Sequence, residues 1–142
     1  MVENPLEDHE LGQWDTIDAP IGPIPGTLMK QQIISPPYGK NALTRYTCRG
    51  SFDYGSIIEA EIDTGRTHQI RVHMASIGHP LVGDRLYGKD TENTTEARRA
   101  LLHAWKVTFR QPFGSEIINV SAPLPDDMMD YMKLICKGDR AK

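Results

Sequence analysis

Between residues 42 and 63, apolar and polar side chains alternate with a period of two. Ala42-Leu43-Thr44-Arg45-Tyr46-Thr47-Cys48 sets β-branched and aromatic residues at alternate positions, and Ser56–Asp63 sets Ile58, Ala60 and Ile62 against Glu59, Glu61 and Asp63. Successive side chains of a strand point to opposite faces, so this pattern predicts two strands joined across Gly50–Gly55. Over Thr67–Ile77 the period changes, with Ile70, Met74 and Ile77 at i, i+4 and i+7, which predicts a helix with one apolar face. Thr64 or Thr67 would cap its start, and Gly78 with Pro80 would end it. Gly78–Gly88, broken by glycines and a proline, predicts a compact loop. Alternation returns in Leu101–Phe109 and Glu116–Val120, on either side of Gln111-Pro112-Phe113-Gly114, a hairpin turn. Asp126–Cys136 predicts a short helix, acidic at its start and followed by Lys137-Gly138, the order that the helix dipole and a C-terminal glycine favour. Four strands and two helices give an α+β class with a mixed, mainly antiparallel sheet.

The first forty residues lack such a period. Pro20, Pro23, Pro25, Pro36 and Pro37 interleave with Gly22, Gly26 and Gly39, which blocks helix and favours turns, so this stretch is expected to be poorly ordered or extended and wrapped over the body. Three segments follow: an acidic leader over 1–16, a main portion over 17–125, and a C-terminal helix and tail over 126–142.

Size agrees with a single domain at most. The chain has 142 residues, 39% hydrophobic and 25% charged, and a mean hydropathy of -0.45, values of a globular chain that leave about 55 apolar side chains for a core. No apolar run approaches the roughly 18 residues of a membrane-spanning helix, and Met1–Pro5 has no basic region of the signal-peptide kind, so neither a membrane protein nor a secreted precursor is expected. Cys48 and Cys136, without a second pair, make a disulfide framework or structural zinc improbable and fit a reducing compartment, the cytoplasm.

The net charge of -3 argues against a nucleic-acid partner until its distribution is read. Residues 1–20 hold six acids and no Lys or Arg, leaving 16 basic against 13 acidic residues in the remainder. Within Gly65–Arg110 the basic side chains Arg66, Arg71, Arg85, Lys89, Arg98, Arg99, Lys106 and Arg110 outnumber the acids. Such a patch can neutralise phosphates, although an ordinary mixed surface gives the same count.

The densest chemistry lies in Thr64-Gly65-Arg66-Thr67-His68-Gln69-Ile70-Arg71-Val72-His73, where a strand ends, a glycine turns and a helix begins. Backbone N–H groups at a helix start attract anions, and Arg66 stands beside them. The guest could be a phosphate, or a carboxylate from elsewhere that Arg66 would keep ionised; the competing reading is that Arg66 and Arg71 make ordinary surface contacts while Thr67 only caps. His68 and His73 would lie about 140° apart around a helix, so they cannot share one metal ion. No G-x-S-x-G elbow, dinucleotide-binding glycine motif or phosphate-binding P-loop is present.

The run Ile62–Met74, followed by Gly78-His79-Pro80-Leu81-Val82-Gly83-Asp84 and Leu86-Tyr87-Gly88, resembles the third sequence motif of the RluA-type pseudouridine synthases. The resemblance extends from about Ile17 to Pro125, through Ala19-Pro20-Ile21-Gly22, Gly39-Lys40 with Ala42, Thr44 and Tyr46, then Leu102-His103-Ala104 and Ala122-Pro123-Leu124-Pro125. It implies an enzyme that isomerises uridine in ribosomal or transfer RNA by breaking the N1–C1′ bond and rejoining the ring through C5, with no metal or organic cofactor.

By the same resemblance Arg66 is the active-site arginine that pairs with a catalytic aspartate. That aspartate belongs to a His-Arg-Leu-Asp stretch that would precede residue 1, followed by a tyrosine; the 142 residues contain no His-Arg-Leu-Asp. The chain is therefore expected to be the C-terminal part of a catalytic domain, inactive alone, with the missing N-terminal half as a partner. A non-catalytic RNA-binding paralogue, or one subunit of a split synthase, is the alternative. Thr64, Gly65, Thr67, His68, Gln69, His73, His79, Asp84 and Tyr87 are expected to support the motif, and Arg71, Arg85, Lys89, Arg98 and Arg99 to face RNA.

Overall fold

A computed structural model describes residues 1–6, 9–88 and 97–137. Within them the chain runs β1 (Val2–Glu3), β2 (Trp14–Asp18), β3 (Ile21–Pro23), β4 (Gln31–Ile33), β5 (Leu43–Phe52), β6 (Gly55–Ile62), α1 (Gln69–Ser76), β7 (Lys106–Arg110), β8 (Ile117–Ser121) and α2 (Asp126–Cys136). The α+β class is the one expected, and every strand pairing among the described residues is antiparallel.

The main sheet has the order β1-β6-β5-β2. Register makes the two alternating segments share a face: Tyr46 pairs with Ala60 and Cys48 with Ile58. Tyr46 and Cys48 are buried in one cluster with Val2, Leu6, Ile17, Met74 and Leu81, and Ile58 and Ala60 pack against it. The register slips between Cys48 and Gly50, so the end of β5 departs from strict alternation. Helix α1 packs on this sheet, burying Val72, His73 and Met74. A second cluster joins α2, through Met128, Tyr131 and Ile135, to Met1, Val82 and Leu101. The thiols of Cys48 and Cys136 are both free.

Several boundaries differ from the sequence reading. The described residues before 40 are extended, one of the two states expected, but they form four short strands paired into the fold. β1 pairs with β6, β2 with β5, and β3 with β4 in a separate two-stranded sheet. Strands of two to five residues are too short to declare a period, which is why proline and glycine dominated the reading there. After β4 the chain returns over Gly22, where a Cβ would lie 2.5 Å from the Tyr38 carbonyl oxygen; on Gly39 it would collide with the Ile34 carbonyl oxygen. Only glycine permits this close return.

Helix α1 begins at Gln69, two residues later than expected, and neither Thr64 nor Thr67 caps it. Its N-cap is His68, which adopts a left-handed conformation (φ 55°) and makes no side-chain capping bond. Helix α2 has the expected span; Gly138 lies outside the described residues.

The last hairpin forms around the expected turn, with the Gln111 N–H donating to the Glu116 carbonyl. Its first strand starts at Lys106, because Leu101 belongs to the α2 cluster. Register puts Val107 opposite Val120 and Phe109 opposite Ile118 on one face, yet every residue of β7 is exposed.

Candidate functional site

The strand-to-helix turn is closed by one side chain. Gln69 is 2% exposed and uses its whole amide: Nε2 donates to the Leu43 carbonyl (2.9 Å) and to Thr44 Oγ1 (3.1 Å). Its Oε1 accepts from Thr64 Oγ1 (3.0 Å) and from the Arg66 backbone N–H (3.2 Å). The Gln69 backbone N–H donates in turn to the Arg66 carbonyl (3.0 Å). This reciprocal pair does the work of a capping box with the polar side chain on the helical residue. It fixes the backbone of Arg66 to the start of β5.

His73 continues the network inward. Its Nε2 faces the Ala19 carbonyl oxygen at 2.9 Å and its Nδ1 faces Thr44 Oγ1 at 2.7 Å. A carbonyl only accepts, so Nε2 carries the proton, Nδ1 accepts, and the Thr44 hydroxyl donates to it while receiving the Gln69 amide. Burial holds the His73 pKa below its ordinary value, with the Ala19 bond and Asp18 pulling weakly the other way. The imidazole is a neutral strut.

A second network fastens the loop after α1. Asp84, whose side chain is fully buried, receives Arg71 Nη2 at 2.8 Å and Nε at 2.9 Å. Its Oδ1 also accepts the N–H groups of Leu86 and Tyr87. Burial works to raise the Asp84 pKa, but the Arg71 bonds and these two N–H groups outweigh it, leaving the carboxyl below its ordinary range. The Arg71 guanidinium lies 5.1 Å from the Tyr87 ring centre, an arrangement favoured by the ring quadrupole. The Tyr87 hydroxyl accepts the Gln31 N–H at 2.9 Å and meets His68 Nδ1 at 2.7 Å. His68 is held below its usual pKa by burial and then by the nearby Arg71 charge, which favours a neutral ring at this hydrogen bond. His79 Nδ1 stands 3.1 Å from the Asn4 carbonyl, tying the loop to the chain start.

Arg66 is half-buried and held through Nε, which donates to the Asn41 carbonyl at 2.9 Å. Among the described residues no carboxylate forms an ion pair with it. Gly65 and Thr67 beside it are exposed. The other basic candidates divide. Arg71 is committed to Asp84, and Arg99 donates through Nε and Nη2 to Asp127 at 2.7 and 2.9 Å. Arg85 and Arg98 are exposed, and Lys89 lies outside the described residues.

Sequence reasoning missed the acceptors at Ala19, Asn41 and Leu43 and the donor at Gln31. All four are backbone groups, which leave no residue-type signal. Among the described residues no cluster of three or more His, Cys, Asp or Glu could hold a metal ion. No described helix is long and apolar enough to cross a membrane.

Comparison with known proteins fits this geometry. No family model matches the chain. It aligns over 99% of its length, at 22% identity and a TM-score of 0.65, with 65% of the human RNA Pseudouridylate Synthase Domain Containing 1 structure. A second human structure, RNA Pseudouridylate Synthase Domain Containing 4, matches 95% of the chain and 59% of its own at a TM-score of 0.67 and 18% identity. The fold is thus that of pseudouridylate synthase domains.

Sequence relatives are nearer. Ribosomal large subunit pseudouridine synthase D of Nitrosomonas europaea is 38% identical over 125 residues, 84% of this chain and 36% of that protein. The uncharacterized RNA pseudouridine synthase YlyB of Bacillus subtilis is 39% identical over 137 residues, 96% of this chain and 43% of that protein. The chain belongs to the RluA-type RNA pseudouridine synthase family. It spans about two fifths of the length of these relatives.

Proposed function

We propose that the chain is part of an RNA pseudouridine synthase acting on ribosomal or transfer RNA in the cytoplasm, with Arg66 as the partner of an aspartate that the 142 residues do not supply. The observation that carries this is the state of Arg66: its backbone is locked by Gln69, its Nε is spent on Asn41, and no carboxylate of the described residues pairs with it. An arginine so fixed favours the ionised form of an incoming carboxylate, the form required of a group that attacks or stabilises a reacting sugar. Rearrangement then breaks N1–C1′ and forms C5–C1′, with the C5 proton lost and N1 protonated. Exposed Arg85 and Arg98 are the first candidates for the RNA backbone, ahead of Arg71 and Arg99, which already hold carboxylates; Lys89 belongs to the same group by its place in the sequence. The ribosomal choice is supported by the name of the Nitrosomonas relative.

The test is to fuse to this chain the part of the Nitrosomonas protein that precedes its matched stretch, and to measure pseudouridine in a large-subunit ribosomal RNA transcript by carbodiimide-dependent primer extension. The fusion converts uridine, and its Arg66→Ala variant does not, with an unchanged melting temperature. Normal turnover by that variant would remove Arg66 from the site. The alternative reading is a non-catalytic RNA-binding chain or a partner subunit. It predicts RNA binding without conversion by the fusion, or conversion only when separately made halves are mixed.

A further inference from the structure

The turn between β3 and β4 is built and apolar. Ile24 N–H donates to the Lys30 carbonyl (2.9 Å), and Thr27 Oγ1 donates to the Ile24 carbonyl (2.8 Å), so the tip has a defined shape. On it Leu28 is 100% exposed and Met29 56%, and Tyr38, in the loop that returns over Gly22, is 74% exposed. Three large apolar side chains this exposed within eleven residues are more than the scattered single cases common on surfaces.

The surroundings select the partner. No Asp or Glu occurs between Asp18 and Asp53, whereas Lys30, Lys40, Arg45 and Arg49 do. Arg45 and Arg49 are paired to acids of β6 and of the residues just after it, which leaves Lys30 and Lys40 to give the hairpin its positive charge. The hairpin is also fastened to the site: the Gln31 N–H rests on the Tyr87 hydroxyl that holds His68. Lys40 pairs with Ile21, and Asn41 carries Arg66.

We propose that this tip is a wedge for RNA, inserting Leu28 and Met29 between bases beside the target uridine while Tyr38 stacks and Lys30 and Lys40 contact phosphates. The proposal rests on the RNA reading of the site. A base inside folded RNA has to leave its stack to be modified, and apolar side chains pushed between base steps, with aromatic rings beneath free bases, are the means by which proteins compensate unstacking.

The experiment uses the 142-residue chain and a stem–loop RNA carrying 2-aminopurine next to a loop uridine. Binding is read by anisotropy and unstacking by 2-aminopurine fluorescence. The chain binds and raises the fluorescence; Leu28→Ser with Met29→Ser weakens binding about tenfold and abolishes the rise, with an unchanged circular dichroism spectrum. Lys30→Ala and Lys40→Ala each lower the slope of log affinity against log salt by about one. Phe113→Ser, at the exposed tip of the β7–β8 hairpin, leaves both readouts unchanged and controls for apolar surface in general. Binding and fluorescence equal to the parent in the double variant would overturn the wedge and leave the RNA reading standing. No RNA binding by the parent chain would overturn the RNA reading itself. Loss of self-association, in place of RNA affinity, in the double variant would assign the tip to a protein contact and also overturn the wedge.

Discussion

Replacing Gln69 with methionine tests whether one amide closes the motif turn. Methionine keeps the length and approximate volume of the side chain, so packing is little disturbed, while four hydrogen bonds disappear. The losses are unequal. The Thr64 hydroxyl and the Arg66 N–H belong to half-exposed residues and can turn to water, so each costs about 0.5 kcal/mol. The Leu43 carbonyl and the fully buried Thr44 hydroxyl lose a donor with little or no water to replace it, about 1 kcal/mol each at the low end of such penalties. The total is about 3 kcal/mol. With an unfolding entropy of about 2.1 cal/mol/K per residue, a chain of this length melts about 10 °C lower for that loss. Thermal unfolding followed by circular dichroism measures it, with Thr64→Val as a control that shifts the midpoint by only about 2 °C. A fall of less than about 3 °C for Gln69→Met would refute the reasoning and mean that the backbone holds the turn without the amide.

Two further outcomes follow from the buried polar groups. An unfolded histidine takes up a proton near 6.5, while His73 is held below that value in the fold, so stability is complete above it and declines as the pH falls below it. The melting temperature is expected to drop between about pH 7 and about pH 5. His73→Gln flattens part of the drop, because His68 is depressed in the same direction; a variant curve parallel to the parent's would contradict the neutral strut. Asp84→Asn leaves Arg71 without its carboxylate and costs about 3 kcal/mol, the low end for breaking a buried pair because Arg71 is partly exposed. The Asp84 carboxyl lies below its ordinary 3.8, so its contribution is present above that value and lost on acidification below it. Urea unfolding at neutral and acid pH should therefore show Asp84→Asn converging on the parent as the pH falls. A gap that stays constant would rule out the ion pair as the cause.

How far the sequence carried this structure depended on where the partners of each residue lie. Alternation over 42–63 declared β5 and β6 through residue type, although exposure does not follow it strictly: Tyr46, Thr47 and Cys48 are all buried and Ile62 is exposed; α2 wrote its span through its acidic start and basic end. The turn at Gly65 was legible as a place for an anion, but its closure was not: a threonine cap is a local signal, whereas Gln69 reaches a carbonyl and a hydroxyl on β5, some 25 residues away. The basic patch has the same limit. A charge count cannot see that Arg71 has a carboxylate 13 residues on, or Arg99 one 28 residues on. The most informative mismatch is at β7 and β8. There Val107, Phe109, Ile118 and Val120 alternate as residues do on a face that is covered, yet β7 is exposed along its whole length. Under the proposed function one cause accounts for both oddities: a neighbouring part of the synthase that brought a carboxylate to Arg66 would also have an apolar surface to lay on that hairpin, and the chain spans only about two fifths of its relatives.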